Sequence, residues 1–217
     1  MGSVNSPPPR RYDSTRRREQ AQRNRDAVLA AARQRFLSQG YAATTIADIA
    51  GDAAVSVETV YKAFATKAGV LKALFDVSVA GDDEPIPMVQ RDVIQRVADE
   101  ADATRKLEMY AEHLAAMMPR SAPVQLLARD AAASSPDAGA VWKQTRQETL
   151  AGMTMFASSL ARTGQLRVSA KEARDVLWTY HAPELYELLV LERGWSAARY
   201  GKFLAHALVD ALLKAPD

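Results

Sequence analysis

Cysteine is absent from the 217 residues, which excludes a disulfide scaffold, a thiolate metal site and a cysteine nucleophile. No apolar run approaches the ~20 residues that a membrane-spanning helix needs. The arginines at 10–11 and 16–18 are not followed by an apolar stretch, so no export signal is visible. Residues 1–6 fit the loose myristoylation pattern, which is short enough to arise by coincidence, and one acyl chain anchors only marginally. Alternating β-branched runs and internal repeats are missing as well. Three histidines without cysteine give no metal-ligand spacing. There is no phosphate-binding loop, no HExxH and no nucleophile constellation. Glu112 and His113 are an acid and a base side by side, but adjacent residues point apart on a helix. The chain is therefore expected not to be an enzyme, to need no cofactor and no metal, and to work in the cytoplasm.

What is present is a chain about half apolar and a quarter charged, enough for a buried core in one domain or two small ones. The net charge is only +2, but it is unevenly spread. Residues 1–70 hold eleven Lys/Arg against six Asp/Glu, while residues 71–217 hold seventeen against twenty. A basic N-terminal third on an acidic remainder points to an anionic partner docking at one end, most simply nucleic acid.

Along the chain, the triple proline at 7–9 and the arginine run Arg16, Arg17, Arg18 read as a flexible basic arm over 1–18. From Glu19 a helical pattern starts, with Val28, Leu29, Ala32, Phe36 and Leu37 on one face and Gly40 as a natural C-cap. Thr45 and Asp48 have capping-box spacing ahead of a short helix that Gly51-Asp52 breaks. Ser56 caps a second short helix through Phe64, whose inner face is spaced by Val57, Val60, Tyr61 and Phe64. Thr66 then caps a longer helix that ends near Gly81. The acidic, proline-containing stretch 82–87 reads as a linker and domain boundary. Beyond it the sequence predicts helices at Val89–Val97, at Thr104–Met118 stopped by Pro119, at Val124–Ala133, and from about Ala138 to Ala161. Further helices follow at Lys171–Tyr180 and Pro183–Leu191, with a break at Pro183. Ser196 opens the last helix, where Tyr200, Phe203, Leu204, Ala207, Leu208, Ala211 and Leu212 form the clearest amphipathic stripe in the chain.

Two short capped helices joined by a turn of about four residues describe a helix-turn-helix. The first must brace the second, and the second must bury one face while offering small, polar or basic residues to a major groove about 12 Å wide. Residues 25–75 closely resemble the DNA-binding domain of the TetR family of transcriptional regulators. The match lies in the Ala-rich first helix ending Phe36-Leu37-Ser38-Gln39-Gly40-Tyr41, in Ala43-Thr44-Thr45-Ile46-Ala47-Asp48-Ile49-Ala50, in Val55-Ser56, in Thr59-Val60-Tyr61-Lys62-Ala63-Phe64 and in Thr66-Lys67. The sequence departs from the family at Ala54, where glycine is usual and where alanine is costly if φ is positive. It departs again at Val57 and Glu58, where small or basic residues are common. A glutamate there repels phosphate but is able to accept from a cytosine amino group.

The resemblance implies an all-α fold: an N-terminal three-helix DNA-binding domain with a larger helical ligand-binding and dimerisation domain. The expected division is a disordered basic arm at 1–18, the helix-turn-helix domain at 19–66, a connecting helix and linker at 67–84, and an effector-binding and dimerisation domain at 85–217. DNA contacts are expected from Thr45, Ser56, Val57, Glu58, Thr59, Tyr61, Lys62, Lys67, Arg16, Arg17 and Arg18. Lys67 is the foremost phosphate ligand in that set, having no obvious packing duty, and Arg23 and Arg25 extend the arm's cationic run. Candidates for the dimer surface are Leu185, Leu188, Leu189, Tyr200, Phe203, Leu204, Ala207, Leu208 and Ala211. Candidates for lining an effector site, expected to take a largely apolar small molecule, are Met109, Tyr110, His113, Leu114, Met117, Trp142, Met153, Phe156 and Trp178. The expected function is that of a homodimeric repressor released from a near-palindromic operator by an effector. An activator or a ligand-independent DNA-binding regulator is the alternative.

Overall fold

The computed structural model describes residues 11–214. Helix begins earlier than Glu19: α1 (Arg11–Ala43) takes in the arginine run, because Arg, Glu, Gln and Ala are good helix formers and no glycine or proline interrupts residues 11–39. Residues 11–18 are thus helical rather than part of a disordered arm. The rest of that arm, with the triple proline and the pattern at 1–6, lies outside the described residues. Gly40 interrupts α1 at φ 81°, a conformation that a side chain resists.

The next elements form as their caps dictate. α2 (Ile46–Asp52) opens on a complete capping box: the Thr45 hydroxyl accepts from the Asp48 N–H while the Asp48 carboxylate accepts from the Thr45 N–H. α3 (Val57–Phe64) opens on Ser56, which accepts from the Thr59 N–H, and α4 (Lys67–Ala80) opens on Thr66, which accepts from the Gly69 N–H. Gly81 closes α4 in the left-handed conformation. Ile46, Ile49, Val60 and Phe64 are buried against Val28, Leu29, Ala32 and Phe36 of α1 and Val70, Leu71 and Leu74 of α4. Leu37, expected on that inner face, is 42% exposed and lies outside the core.

After the 82–87 loop come a 3-10 turn (Met88–Gln90) and α5 (Asp92–Asp99) in place of one helix from Val89. α6 (Ala103–Ala132) replaces the two helices expected on either side of Pro119. It runs through Pro119 and Pro123 because its neighbours hold it. Met117, Met118, Ser121, Ala122 and Val124 are buried, the Arg120 guanidinium donates to the Ala116 carbonyl, the Ser121 hydroxyl donates to the Met117 carbonyl, and Arg33 donates to the Arg120 carbonyl. α7 (Pro136–Ala161), α8 (Ala170–Tyr180) and α9 (Pro183–Tyr186) follow, the last continuing as a π-helical stretch, Glu187–Glu192. α10 (Ala197–Leu212) ends the fold. Among the described residues there is no strand, only an isolated bridge from Leu166 to Leu213, and no helix long and apolar enough to cross a membrane.

Two cores share α6. Its first half packs Leu107, Leu114 and Met118 with Leu177 of α8 and Tyr200, Leu204, Leu208 and Leu212 of α10. Its second half sends Val124, Ala128 and Ala131, with Ala138 and Val141 of α7, into the core of the helix-turn-helix. The 82–87 stretch breaks the helical path, as expected, but it does not part the packing. Arg120 adds a polar tie by donating to the Ser78 and Val79 carbonyls near the end of α4.

Candidate DNA interface and effector cavity

α3 turns only Val60 and Phe64 inward. Val57 and Tyr61, which the spacing put on the inner face, are one turn apart on the neighbouring row and remain 40% and 51% exposed. With Glu58 and Lys62, also exposed, they give the helix an outer face that mixes an acid, a cation and two large apolar surfaces. Thr59 is half-buried, its hydroxyl 2.8 Å from that of Ser56. Thr45 and Ser56 are exposed and already occupied as caps. The turn between α2 and α3 holds Ala54 at φ 52°, the left-handed conformation that favours glycine.

Lys67 departs from expectation. Its Nζ donates to the Tyr41 carbonyl at 2.9 Å and the Thr44 carbonyl at 3.0 Å, and it lies 4.3 Å from the centre of the Tyr41 ring. The break of α1 at Gly40 leaves carbonyls without helical donors, and the lysine supplies the donors. Burial pushes its ammonium below the ordinary lysine range. It therefore has a packing duty, alongside any phosphate contact.

Arg25 departs as well. It donates to both carboxylate oxygens of Asp83, at 2.5 and 3.1 Å, and its guanidinium lies 4.7 Å from the ring centre of Phe64, the last residue of α3. Arg16, Arg17 and Arg18 are exposed further along the same helix, about 10–14 Å from Arg25 at 1.5 Å per residue.

The expected effector set does not line one space. Tyr110, Met153 and Phe156 do meet: the Tyr110 hydroxyl donates to the Met153 sulfur at 3.4 Å, and the Tyr110 and Phe156 ring centres are 4.8 Å apart. The same hydroxyl lies 2.9 Å from Nδ1 of His181, a residue the sequence did not single out because it reads as the tail of α8. Burial, with smaller contributions from His113 and Arg146, pushes His181 down to about 4. The ring is therefore neutral near pH 7. Trp142 and Trp178 flank Arg146, whose guanidinium is 5.4 and 3.8 Å from their ring centres. Met109 and His113 line a separate shallow cavity of about 260 Å³, while Met117 and Leu114 are plain core.

A larger cavity, of about 380 Å³, lies between the second half of α4, the 82–88 segment, α6 and α7. Of the expected residues only Met153 lines it. Phe75, Val79, Ile86 and Met88 supply the rest of an apolar wall, Gln125, Thr145 and His181 neutral polar groups, and Asp76, Asp82, Asp83, Glu84 and Glu148 carboxylates, with Arg91 as the cation among them. The acidic run at 82–84 was visible in the sequence, but only as a linker.

The expected dimer stripe also divides. Tyr200, Leu204 and Leu208 are completely buried in the chain's own core, so they offer nothing to a second copy. Leu185, Leu189, Ala207 and Ala211 are half-buried. Leu188 at 50%, Leu191 at 54% and Phe203 at 36% are the exposed apolar residues of this end.

Residues 28–74 match the family model of bacterial regulatory proteins of the tetR family. No curated protein matches the chain in sequence. Solved structures match its fold at low identity. NalD of Pseudomonas aeruginosa, the secondary repressor of the MexAB-OprM multidrug efflux pump, is 16% identical with a TM-score of 0.71, over 91% of this chain and 100% of its own. A transcriptional regulator from Saccharomonospora viridis in complex with choline is 18% identical with a TM-score of 0.65, over 88% and 98%. The SmeT–triclosan complex is 19% identical with a TM-score of 0.64, over 88% and 92%.

Proposed function

We propose that the chain, whose residues 28–74 match the family model of bacterial regulatory proteins of the tetR family, is a homodimeric repressor, released from a near-palindromic operator in the cytoplasm by a small molecule. The observation that carries this reading is the outer face of α3. Val57 and Tyr61 remain exposed on a helix braced by capped neighbours, beside Glu58 and Lys62. Such a face suits base edges and thymine methyl groups in the major groove. Phosphate contacts would come from Lys62, from the α2 and α4 N-termini at Thr45 and Lys67, and from Arg16, Arg17 and Arg18 along α1. In this reading, residues 19–66 read DNA, 67–84 connect, and 85–217 bind the effector and pair with a second copy through the exposed Leu188, Leu191 and Phe203. Pairing sets two recognition helices about 34–36 Å apart, one turn of DNA. Support for a small-molecule effector comes from the partly open cavity between α4, α6 and α7 and from the choline and triclosan complexes of proteins with this fold.

Selection of bound sites from random DNA by the full chain tests the reading. The expected product is an inverted repeat with half-sites one helical turn apart. Recovery of no enriched sequence, or of a single half-site without symmetry, overturns it.

A further inference from the structure

The cavity between α4, α6 and α7 holds more negative charge than its neighbours neutralise. Asp82 is taken up by Arg91, at 2.6 and 2.8 Å, and Asp83 by Arg25. Asp76 and Glu148 share one ammonium, that of Lys72, at 2.7 and 3.2 Å. Glu84 makes no ion pair among the described residues. Five lining carboxylates thus have three ion-pair partners, Arg25, Lys72 and Arg91, with Arg120 acting on Asp82 from further off. Asp76 and Glu148 stand at the mouth of the cavity, their side chains 52% and 51% exposed, and partial desolvation lifts the Asp76 carboxyl above the usual range although Lys72 is close.

A second observation points the same way. Gln125 is only 4% exposed and lines the cavity. Its Nε2 donates to the Ser121 hydroxyl, and no donor among the described residues reaches its Oε1. The Nε of Arg91 is enclosed and has no acceptor among the described residues, while its two terminal nitrogens are taken up by Asp82. The cavity therefore offers acceptors that lack donors, next to an apolar wall built on Phe75, Val79 and Met153.

We propose that this cavity takes an organic cation: a protonated amine carried on an apolar body, its ammonium paired with Asp76 and Glu148 and its body against Phe75, Val79 and Met153. The proposal rests on the reading of the chain as an effector-responsive regulator and replaces the expectation of a merely apolar ligand. Buried apolar area gives affinity, while Asp76 and Glu148, two carboxylates with one cation between them, select the sign of the charge.

The test compares octylammonium, octanol and octanoate, which share a tail and differ in the charge of the head, by calorimetry on the full chain without DNA. Octylammonium is expected to bind about tenfold or more tighter than octanol, and octanoate to bind weakest. Glu148→Gln is expected to remove most of that preference by weakening amine binding. The proposal is overturned if none of the three binds, if octanoate or octanol binds at least as tightly as the amine, or if Glu148→Gln leaves amine affinity unaltered. Adding each compound to the protein on its selected operator tests the underlying reading separately. Amine binding without DNA release keeps the site and refutes effector release. Release by octanol or octanoate but not by the amine keeps effector release and refutes the cationic class.

Discussion

Ala54 carries a backbone conformation that its side chain opposes. At φ 52° it bears a left-handed cost of about 1–2 kcal/mol. Glycine would relieve that cost but gain unfolded-state entropy worth about 0.4–1 kcal/mol. Ala54→Gly is therefore expected to stabilise the fold by up to about 1.5 kcal/mol, read as a higher melting temperature with unchanged denaturant slope. His181 gives a residue-scale pH dependence. Its folded-state value of about 4 lies below the ordinary 6.5, so the unfolded chain takes up the proton first as pH falls. Stability is fully present above about pH 6.5, declines from there to about 4, and then levels. The loss is on the order of 3 kcal/mol at 1.36 kcal/mol per pKa unit. Thermal unfolding of wild type and His181→Asn across that window checks it: the variant is expected to show the shallower decline.

At the scale of elements, the approach of α4 to α3 depends on Gly69. A Cβ there would stand 2.0 Å from the Phe64 carbonyl oxygen, backbone that is unable to move without moving α3. Gly69→Ala is expected to cost about 1–3 kcal/mol as overpacking. It should also weaken operator binding beyond the stability loss, measured at a temperature where both proteins are folded. Sequence made these helices legible because each announces itself locally. Thr45, Ser56 and Thr66 are caps, Gly40 and Gly81 are stops, and the apolar spacing between them is regular. α6 was not legible, because proline is a local stop signal and what carries the helix past Pro119 and Pro123 is tertiary: Arg33 from α1, and burial on two sides. The cavity was hidden for a related reason. Composition marks Met and aromatic side chains as candidates, but which of them face a void depends on how four segments meet, and Trp142 and Trp178 were instead occupied by Arg146.

At the scale of the molecule, the amphipathic stripe of α10 is divided between the chain's own core and an exposed edge. Its strongest positions, Tyr200, Leu204 and Leu208, are the chain's own core, and the partner-facing reading passes to Leu188, Leu191 and Phe203. Phe203 packs edge-on to Trp195 with ring centres 5.7 Å apart, and a charge at that position would be desolvated in a paired state. Phe203→Glu is expected to weaken self-association by about a hundredfold or more, equal to about 2.7 kcal/mol at 1.36–1.4 kcal/mol per decade. Light scattering across a dilution series checks this, with the unfolding midpoint of the single chain little changed.

The second half of α6 sets a limit on how the chain can be recombined. Val124, Ala128 and Ala131, with Ala138 and Val141, are part of the same apolar cluster as Phe36, Ile49 and Val60. A hybrid regulator spliced at the 82–87 loop would join a reading head to a foreign floor. Residues 120–141 form part of the head's foundation, even though they follow it by forty residues or more in sequence. A functional chimera must carry that helical corner with the head, which makes the exchangeable unit discontinuous in the gene.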